Sequence, residues 1–430
     1  MKKLIITLAI FTSLMGSVFA ERNFANRFFE FKVNVPVALS NNLIALEDVF
    51  TEEVVIDLPK IADEMTEMGA VINANAAPSL SINLDIPNGL ILGLNIGAQA
   101  DVGIGISKDL FTLIGKGNVG MDSVTTKMNN TYTDVFAFTS LNGGWNGKKL
   151  RMNFTGTTFW AIAHLDASDT YVKIYNNEEN NSLGVEAQFD AKLYSTVNVS
   201  EDMNDFQKLF NQTKSNLGFD MGADIQYDLL RILSVGGQAR IPLVPSRLSM
   251  LTQYSADKYS FKKEINIGEM VTGSKSDDKD SETPASTREE EEEEETEEKD
   301  DSPNITMLSS PYIIHRPLKI GVTADFHPFG TLLSTKGYLG LGVRHPFAKD
   351  QSETQAYIDY SVSGRLSLWN ILSFELSHSR MDEIFKNELA VALNIRLVEV
   401  DAGVSFQSAD FAKSFTGAGV GAFVTVCVGF

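Results

Sequence analysis

The C-terminal stretch 389–430 decides the fold, because it alternates between apolar and polar side chains over three segments. The first segment reads Leu389-Ala-Val-Ala-Leu-Asn-Ile-Arg396, with Leu, Val, Leu and Ile at the odd positions. The second, Val398-Glu-Val-Asp-Ala-Gly-Val-Ser-Phe406, and the third, Val420-Gly-Ala-Phe-Val-Thr-Val-Cys-Val-Gly-Phe430, repeat the alternation. A period of two residues is typical of β-strands with one apolar and one polar face. Whether the apolar face meets a protein core or lipid depends on the rest of the chain.

The N-terminal segment predicts export. It begins Met1-Lys2-Lys3, is apolar from Leu4 to Met15 and reaches Val18-Phe19-Ala20. A charged start, a short apolar run and small residues before a cleavage site are the features of a secretory signal peptide. The apolar run is too short to span a membrane as an anchor. We therefore expect a signal peptide over residues 1–20, cleaved after Ala20.

Turn lengths alternate along the chain and indicate a membrane barrel. Short turns such as Pro87-Asn88-Gly89 are separated by long connections such as 242–311 and 407–417. Counted back from the last strand, every short turn falls at one end and every long connection at the other. Outer-membrane barrels have tight periplasmic turns and long external loops, whereas a soluble exported β-domain has no reason for this sorting. The prediction is an all-β protein, a transmembrane antiparallel β-barrel of about 14 strands (roughly 12–16) over residues 21–430.

The polar face of the predicted strands carries charged residues, while the apolar face is nearly free of them. A charge that faces lipid costs about 2–4 kcal/mol at the membrane midplane, so lipid contact would enforce this segregation. We expect the polar face to line the barrel lumen. The candidate lumen-lining residues are Glu186, Asp190, Lys192, Asp220, Asp224, Asp359, Arg365, Arg396, Glu399 and Asp401.

Much of the negative charge lies in one external segment. The chain has a net charge of −20, and segment 271–303 contributes 15 acids and 4 bases, a net of −11. This composition predicts a disordered external loop, with a weak collector of divalent cations or a ligand for a basic partner as the alternative. The overall charge argues against nucleic acid as a partner.

Three external loops, 38–70, 107–131 and 200–216, contain helical patterns with apolar stripes. Outside the membrane such stripes must be buried against something. They either pack together as a cap or enclose an apolar groove that captures a hydrophobic substrate. The candidate groove residues are Leu58, Ile61, Met65, Leu110, Phe111, Ile114, Met203, Phe206 and Phe210.

No catalytic or metal-binding pattern is present in the sequence. The five histidines have no metal-site spacing, and Cys427 has no partner for a disulfide. The adjacent pair His378-Ser379 suggests an outer-membrane phospholipase, but no oxyanion-hole motif accompanies it. We therefore expect no enzyme activity, no cofactor and no metal.

The signal peptide, the alternating strands and the terminal Phe430 resemble outer-membrane β-barrel proteins of diderm bacteria. In that class the terminal aromatic residue is read by the barrel-assembly machinery. The strand number and helical external loops are similar to the FadL-type long-chain fatty-acid transporters, in their divergent spirochaete form. The Asn-Pro-Ala plug motif of those transporters is missing, and Asn41-Asn42-Leu43 is its nearest trace.

This resemblance implies an outer-membrane location and passive uptake of small hydrophobic molecules, such as long-chain fatty acids. Two alternatives stay open. One is a general porin with a wide hydrophilic channel, and the other is a surface-exposed adhesin or antigen whose barrel displays loops.

Overall fold

The structure is a computed structural model that describes most of the chain after residue 26. The described residues are 27–42, 59, 62–63, 65, 69–86, 89–116, 123–128, 131–167, 170–177, 182–196, 216–254, 261–266, 304–344, 346–347, 354–369, 371–395 and 397–430. The predicted signal peptide, the acidic segment 271–303 and most of loop 200–216 lie outside these residues. Those three predictions stay predictions.

The described chain is built almost entirely of β-strands. In chain order they are β1 (Phe29–Asn41), β2 (Ala70–Ala76), β3 (Ser79–Ile86), β4 (Leu90–Ile106), β5 (Ser123–Lys127), β6 (Tyr132–Asn146), β7 (Leu150–Asp166), β8 (Tyr171–Asn177), β9 (Ser182–Gln188), β10 (Ala191–Ser195), β11 (Gly218–Leu230), β12 (Leu233–Val244), β13 (Ser246–Tyr254), β14 (Phe261–Asn266), β15 (Asn304–Ile314), β16 (Leu318–Phe326), β17 (Leu333–Arg344), β18 (Gln355–Leu368), β19 (Leu372–Met381), β20 (Ile384–Asn394), β21 (Val398–Ser408) and β22 (Gly419–Gly429). The helix α1 (Lys108–Lys116) lies in the predicted helical loop 107–131, and a 3-10 turn spans Lys413–Phe415.

Eighteen of these strands form one antiparallel sheet that closes into a barrel. Four wall positions consist of two consecutive strands each, namely β2 with β3, β10 with β11, β12 with β13 and β15 with β16. The wall therefore has 14 strand positions. The predicted antiparallel barrel of about 14 strands is confirmed.

The barrel closes by pairing its first strand with its last. Valines meet across this seam, with Val33 opposite Val426 and Val35 opposite Val424. At the short-turn end of the barrel, Phe29 and Phe430 form two backbone hydrogen bonds of 3.1 Å with each other. Their rings stack with centroids 5.6 Å apart. Closure leaves no unpaired edge among the described strands of the wall, and backbone groups in a bilayer require such pairing.

The two ends of the barrel differ in loop length, and one turn departs from the prediction. β19 and β20 are joined at the long-loop end by only two residues, Asp382 and Glu383, with φ values of 50° and 73°. A two-residue loop with positive φ at both positions is the geometry that suits the twist of a β-hairpin. This hairpin is shorter than the strand β18 beside it, so the rim of the barrel has a notch here.

The barrel carries its apolar residues outside. On the outer face Leu376 is 66 % exposed and Val404 is 60 % exposed, whereas Asp359 on the inner face is 0 % exposed. Exposed aliphatic side chains recur around the wall, which is the pattern that contact with lipid requires. Among the described residues, no α-helix is both long and apolar enough to cross a membrane.

A second, four-stranded sheet lies outside the wall, in the order β14, β9, β8, β5. The sequence alternates from Val185 to Leu193 with Glu186, Asp190 and Lys192 on one face, which predicts one barrel strand. This prediction was wrong. The strand is interrupted before Ala191, where Thr170 Oγ1 donates to the Asp190 carbonyl at 3.0 Å and accepts from the Asp190 amide at 3.1 Å. Glu186 therefore belongs to β9 of the second sheet, and only β10 enters the barrel.

Candidate functional site

A charged cluster lies on the inner face of the barrel, at the tip of the short hairpin between β19 and β20. Lys319 Nζ donates to Asp359 Oδ2 at 3.0 Å and to Asp382 Oδ2 at 2.9 Å. Tyr357 Oη donates to Asp382 Oδ1 at 2.6 Å, and Arg344 donates to the Asp382 carbonyl at 2.9 Å. These five residues, here called the mouth cluster, join the three neighbouring strands β16, β17 and β18 and the hairpin tip into one polar network.

The mouth cluster keeps its central carboxylate ionised. Burial by itself raises the pKa of Asp382, but Lys319, the Tyr357 hydroxyl and Arg344 together lower this pKa to about 2. A carboxyl whose pKa is lower in the folded than in the unfolded state stabilises the fold above its unfolded pKa. That contribution is lost only as the pH falls through about 2. The Asp382 carboxylate therefore stays ionised at neutral pH.

A first prediction concerns this network. We expect Asp382→Asn to loosen the mouth at neutral pH, because Lys319 then loses one of its two carboxylate partners. Single-channel recordings in planar bilayers should show larger or noisier conductance for the variant. The difference between the variant and the unmodified protein should persist between pH 7 and pH 4, and its disappearance in that range would contradict the assigned ionisation.

Among the described residues, the inner face carries one cluster of buried apolar side chains. Phe136, Phe159, Ala161, Leu248 and Ile314 are buried against one another, with Phe136 and Phe159 edge to face at 6.0 Å. The partly buried rings that pack against them are Phe138, Tyr194 and Tyr312. We call these eight residues the lumenal cluster.

The lumenal cluster lies where the wall is irregular. β7 carries a bulge opposite the step from Val135 to Phe136. The neighbouring wall positions are interrupted as well. The breaks lie between β10 and β11, at Pro245 between β12 and β13, and at residues 315–317 between β15 and β16. A bulge or a break shifts the alternation of side chains, so that apolar residues of these strands turn inward.

A buried ion pair supports the lumenal cluster. Arg316 NH1 donates to Asp220 Oδ2 at 3.1 Å, and Asp220 is 1 % exposed. The Arg316 guanidinium also lies over the rings of Phe138 and Phe159, 5.4 and 5.8 Å from their centroids. A buried charge needs its partner, because either ion alone in this apolar surrounding is strongly unfavourable.

A stack of rings continues the cluster toward the mouth. Tyr194 and Tyr312 stack at 4.3 Å, and Tyr312 and His164 stack at 4.9 Å. His164 Nδ1 is 2.6 Å from Asp134 Oδ1, and Tyr312 Oη is 3.2 Å from His164 Nε2. A proton on Nδ1 donates to the carboxylate, which leaves Nε2 to accept from the tyrosine hydroxyl. The pair orients the ring stack.

Most of the predicted lumen-lining residues have inward positions in the barrel strands. Asp220, Asp359, Arg365 and Asp401 are buried on the inner face. Arg365 NH1 lies 3.8 Å from Glu375 Oε2. Three more predicted residues share the inner parity of their strands, namely Lys192, Asp224 and Glu399. Arg396 lies outside the described residues, and Glu186 and Asp190 belong to the second sheet and the connection after it.

The predicted apolar groove is only partly described. Met65 is buried, and Leu110 and Phe111 of α1 are half-buried. Only the backbone of Ile114 is described. The remaining groove residues lie outside the described part of the chain, namely Leu58, Ile61, Met203, Phe206 and Phe210. The groove therefore stays a prediction.

The phospholipase-like pair is divided by the barrel wall. Ser379 is buried on the inner face, whereas His378 has the outward parity of Leu376. His378 Nδ1 contacts Asn387 Oδ1 at 2.7 Å, on the outer surface. Side chains on opposite faces of a sheet cannot act as nucleophile and base, because these groups must be within hydrogen-bond reach.

The second sheet forms a polar cup outside the barrel. A cavity of about 510 Å³ is lined only by polar residues. Tyr171 Oη donates to Glu186 Oε1 at 2.6 Å, and this hydrogen bond raises the pKa of Tyr171. The other lining residues are Thr125, Lys127, Lys173, Gln188 and Asp190. The cup carries Glu186 and Asp190, which the sequence pattern assigned to the lumen.

No protein-family model matches the chain, and no curated protein sequence is significantly similar to it. Among solved structures, the chain is similar to the Pseudomonas putida toluene transporter TodX, with 8% identity, 95% of this chain and 91% of that chain covered, and a TM-score of 0.46. It is also similar to a Pseudomonas aeruginosa FadL homologue, with 9% identity, 94% and 90% coverage and a TM-score of 0.44. A third is the translocator domain of the autotransporter NalP from Neisseria meningitidis, with 5% identity, 94% and 90% coverage and a TM-score of 0.38.

Proposed function

We propose that the chain is an outer-membrane barrel that takes up small hydrophobic molecules passively, with long-chain fatty acids as one substrate class. The observation that carries the proposal is the lumenal cluster. Elsewhere the described inner face carries many charged and polar side chains, and a hydrophobic molecule gains little from contact with paired charges. The cluster offers the apolar surface that such a molecule needs.

The half-buried rings define where a substrate would make contact. Phe138, Tyr194 and Tyr312 border the fully buried part of the cluster and are themselves only partly buried. Burying apolar surface contributes about 25 cal/mol per Å², so covering half of a phenylalanine ring contributes roughly 1–1.5 kcal/mol. Each exposed ring is therefore worth about a tenfold change in affinity. The mouth cluster lies nearer the medium and would screen access to these rings.

This gives the second prediction. Phe138→Ala should reduce uptake of labelled oleate into proteoliposomes by about tenfold, because the ring that faces the lumen is lost. Phe154→Ala is the matched control, because Phe154 is an exposed phenylalanine on the outer face of β7. Equal uptake by the two variants and the unmodified protein would contradict the role of the cluster.

A general porin is the second candidate, and the paired charges of the lumen favour it. Arg151 and Asp228 pair at 2.9 Å near the short-turn end, and Arg365 lies opposite Glu375. Charges of both signs along an inner wall suit the passage of small polar solutes. A porin would pass sugars freely in liposome swelling and bind no fatty acid, and that result would replace the proposal above.

A further inference from the structure

Beside the notch at the β19–β20 hairpin, the side chains on the outer face of the wall change from aliphatic to polar and aromatic within two rows. The register aligns Gly364, Leu376, Leu389 and Val404 in one row across β18 to β21. The next row toward the rim is Val362, His378, Asn387 and Phe406, and the row above it is Tyr360, Arg380, Phe385 and Ser408. Successive rows on one face are about 7 Å apart along a strand. The outer face thus passes from purely aliphatic to polar and aromatic over a distance typical of a membrane interface.

The middle row is held in one arrangement by hydrogen bonds. Asn387 Nδ2 donates to the carbonyl of Ser414 at 3.0 Å, so its Oδ1 accepts from His378 Nδ1. His378 Nε2 lies 3.2 Å from the hydroxyl of Tyr360. Both ring nitrogens of His378 therefore have partners within the wall, and the side chain positions the loop above it.

The loop between β21 and β22 folds down against this outer surface. The ring of Phe415 stacks on His378 at 5.8 Å, and Phe411 packs edge to face on Phe385 at 5.4 Å. Phe411 and Phe415 are still 52 % and 56 % exposed. Two half-exposed aromatic rings beside the aliphatic belt are suited to contact with lipid at the interface. The one acid of this loop, Asp410, is engaged by the amide of Lys413 at 2.9 Å.

Two cations lie near this surface, namely Arg380 on the wall and Lys413 in the loop, and Lys413 Nζ donates to the Asn42 carbonyl at 2.8 Å. Arg380 NH1 donates to the carbonyl of Ile358 at 3.2 Å, and the Arg380 guanidinium lies over the ring of Phe385 at 5.5 Å. Its Nε is buried and has no hydrogen-bond partner among the described residues. A cation on the outer face is unfavourable at the midplane but nearly neutral at the interface, where an anion can pair with it. Arginine is suited to a phosphate, because its planar donors match the phosphate oxygens.

We propose that Arg380, Phe411 and Phe415 form a binding site for an anionic phospholipid of the outer leaflet. The lipid phosphate accepts hydrogen bonds from the Arg380 guanidinium, and the glycerol and upper acyl chains lie against the two rings. The aliphatic row of Leu376, Leu389 and Val404 continues the path of the acyl chains below. The site is on the outer wall, so it does not depend on what passes through the lumen.

Native mass spectrometry of the full chain in detergent tests this, with dioleoyl phosphatidylglycerol and dioleoyl phosphatidylcholine added in turn. One basic residue near a charged membrane surface contributes about 1 kcal/mol, so we expect roughly a fivefold preference for the anionic lipid. Arg380→Gln should abolish the preference, and Arg380→Lys should retain part of it. Arg247→Gln is the matched control, because Arg247 is an exposed arginine of β13, remote from the notch in the wall.

Three results would overturn the proposal. One is an unchanged preference in Arg380→Gln. Another is equal retention of the two lipids by the unmodified protein. The third is full displacement of the lipid by millimolar inorganic phosphate, which would show a site for free phosphate instead. Heat-modified mobility on gels checks that each variant is a folded barrel, and Phe411→Ser, which leaves all barrel strands unchanged, should weaken retention of both lipids.

Discussion

Replacing Arg316 with methionine is expected to lower the free energy of unfolding by about 3–5 kcal/mol, because it leaves the buried Asp220 carboxylate without its partner. Methionine keeps an apolar side chain near Phe138 and Phe159, so the loss reports the charge more than the packing. Denaturant titration of the vesicle-inserted barrel, followed by tryptophan fluorescence, measures the change. The chain has 3 tryptophans for this purpose.

The double variant Arg316→Met with Asp220→Asn separates the two contributions. Removing both charges should recover most of the lost stability. The attraction between two buried ions is largely offset by the cost of taking both out of water, so the pair contributes little net stability. A single-variant loss below about 1 kcal/mol would show that water reaches Asp220. Such a result would also weaken the lumenal cluster as an apolar site, because Arg316 covers two of its rings.

The barrel itself could be predicted from sequence, because each face of its wall meets a different solvent. Lipid on one side and water on the other impose the period of two that is visible in 389–395 and 398–406. These segments are the strands β20 and β21, and they pair directly. The error at Val185 to Leu193 has the same origin. A strand in the external sheet also alternates, so its pattern does not reveal which sheet it joins.

The lumenal cluster could not be predicted, because its residues break the rule that identified the fold. Phe136 and Phe138 share a face with Asp134 and Ser140, so they blur the alternation between residues 131 and 176. That blur was the available signal, since apolar residues on a lumen face need an explanation. The partner of Arg316 was out of reach, because Asp220 is 96 residues away and only the strand register brings them together.

The second large effect concerns the outer face. Val404→Arg is expected to destabilise the barrel by about 2–4 kcal/mol, because its row lies within the aliphatic belt that faces hydrocarbon. Phe406 lies two residues nearer the rim on the same face of β21, in a row that includes His378 and Asn387. Placing a cation at this depth by Phe406→Arg should therefore destabilise the barrel by only about 0–1 kcal/mol. Equilibrium folding into vesicles of short-chain phosphatidylcholine measures both variants under identical conditions.

The difference in stability between these two variants tests whether the outer face contacts lipid, because both place the same cation on the same face of one strand. In water the two positions are equivalent exposed strand sites, and the substitutions would differ by less than about 0.5 kcal/mol. In a bilayer the depth of the charge decides its energy, so the deeper position must be the more costly. Equal small effects would mean that the outer face is hydrated, and the membrane-spanning barrel would then be untenable despite its closed wall.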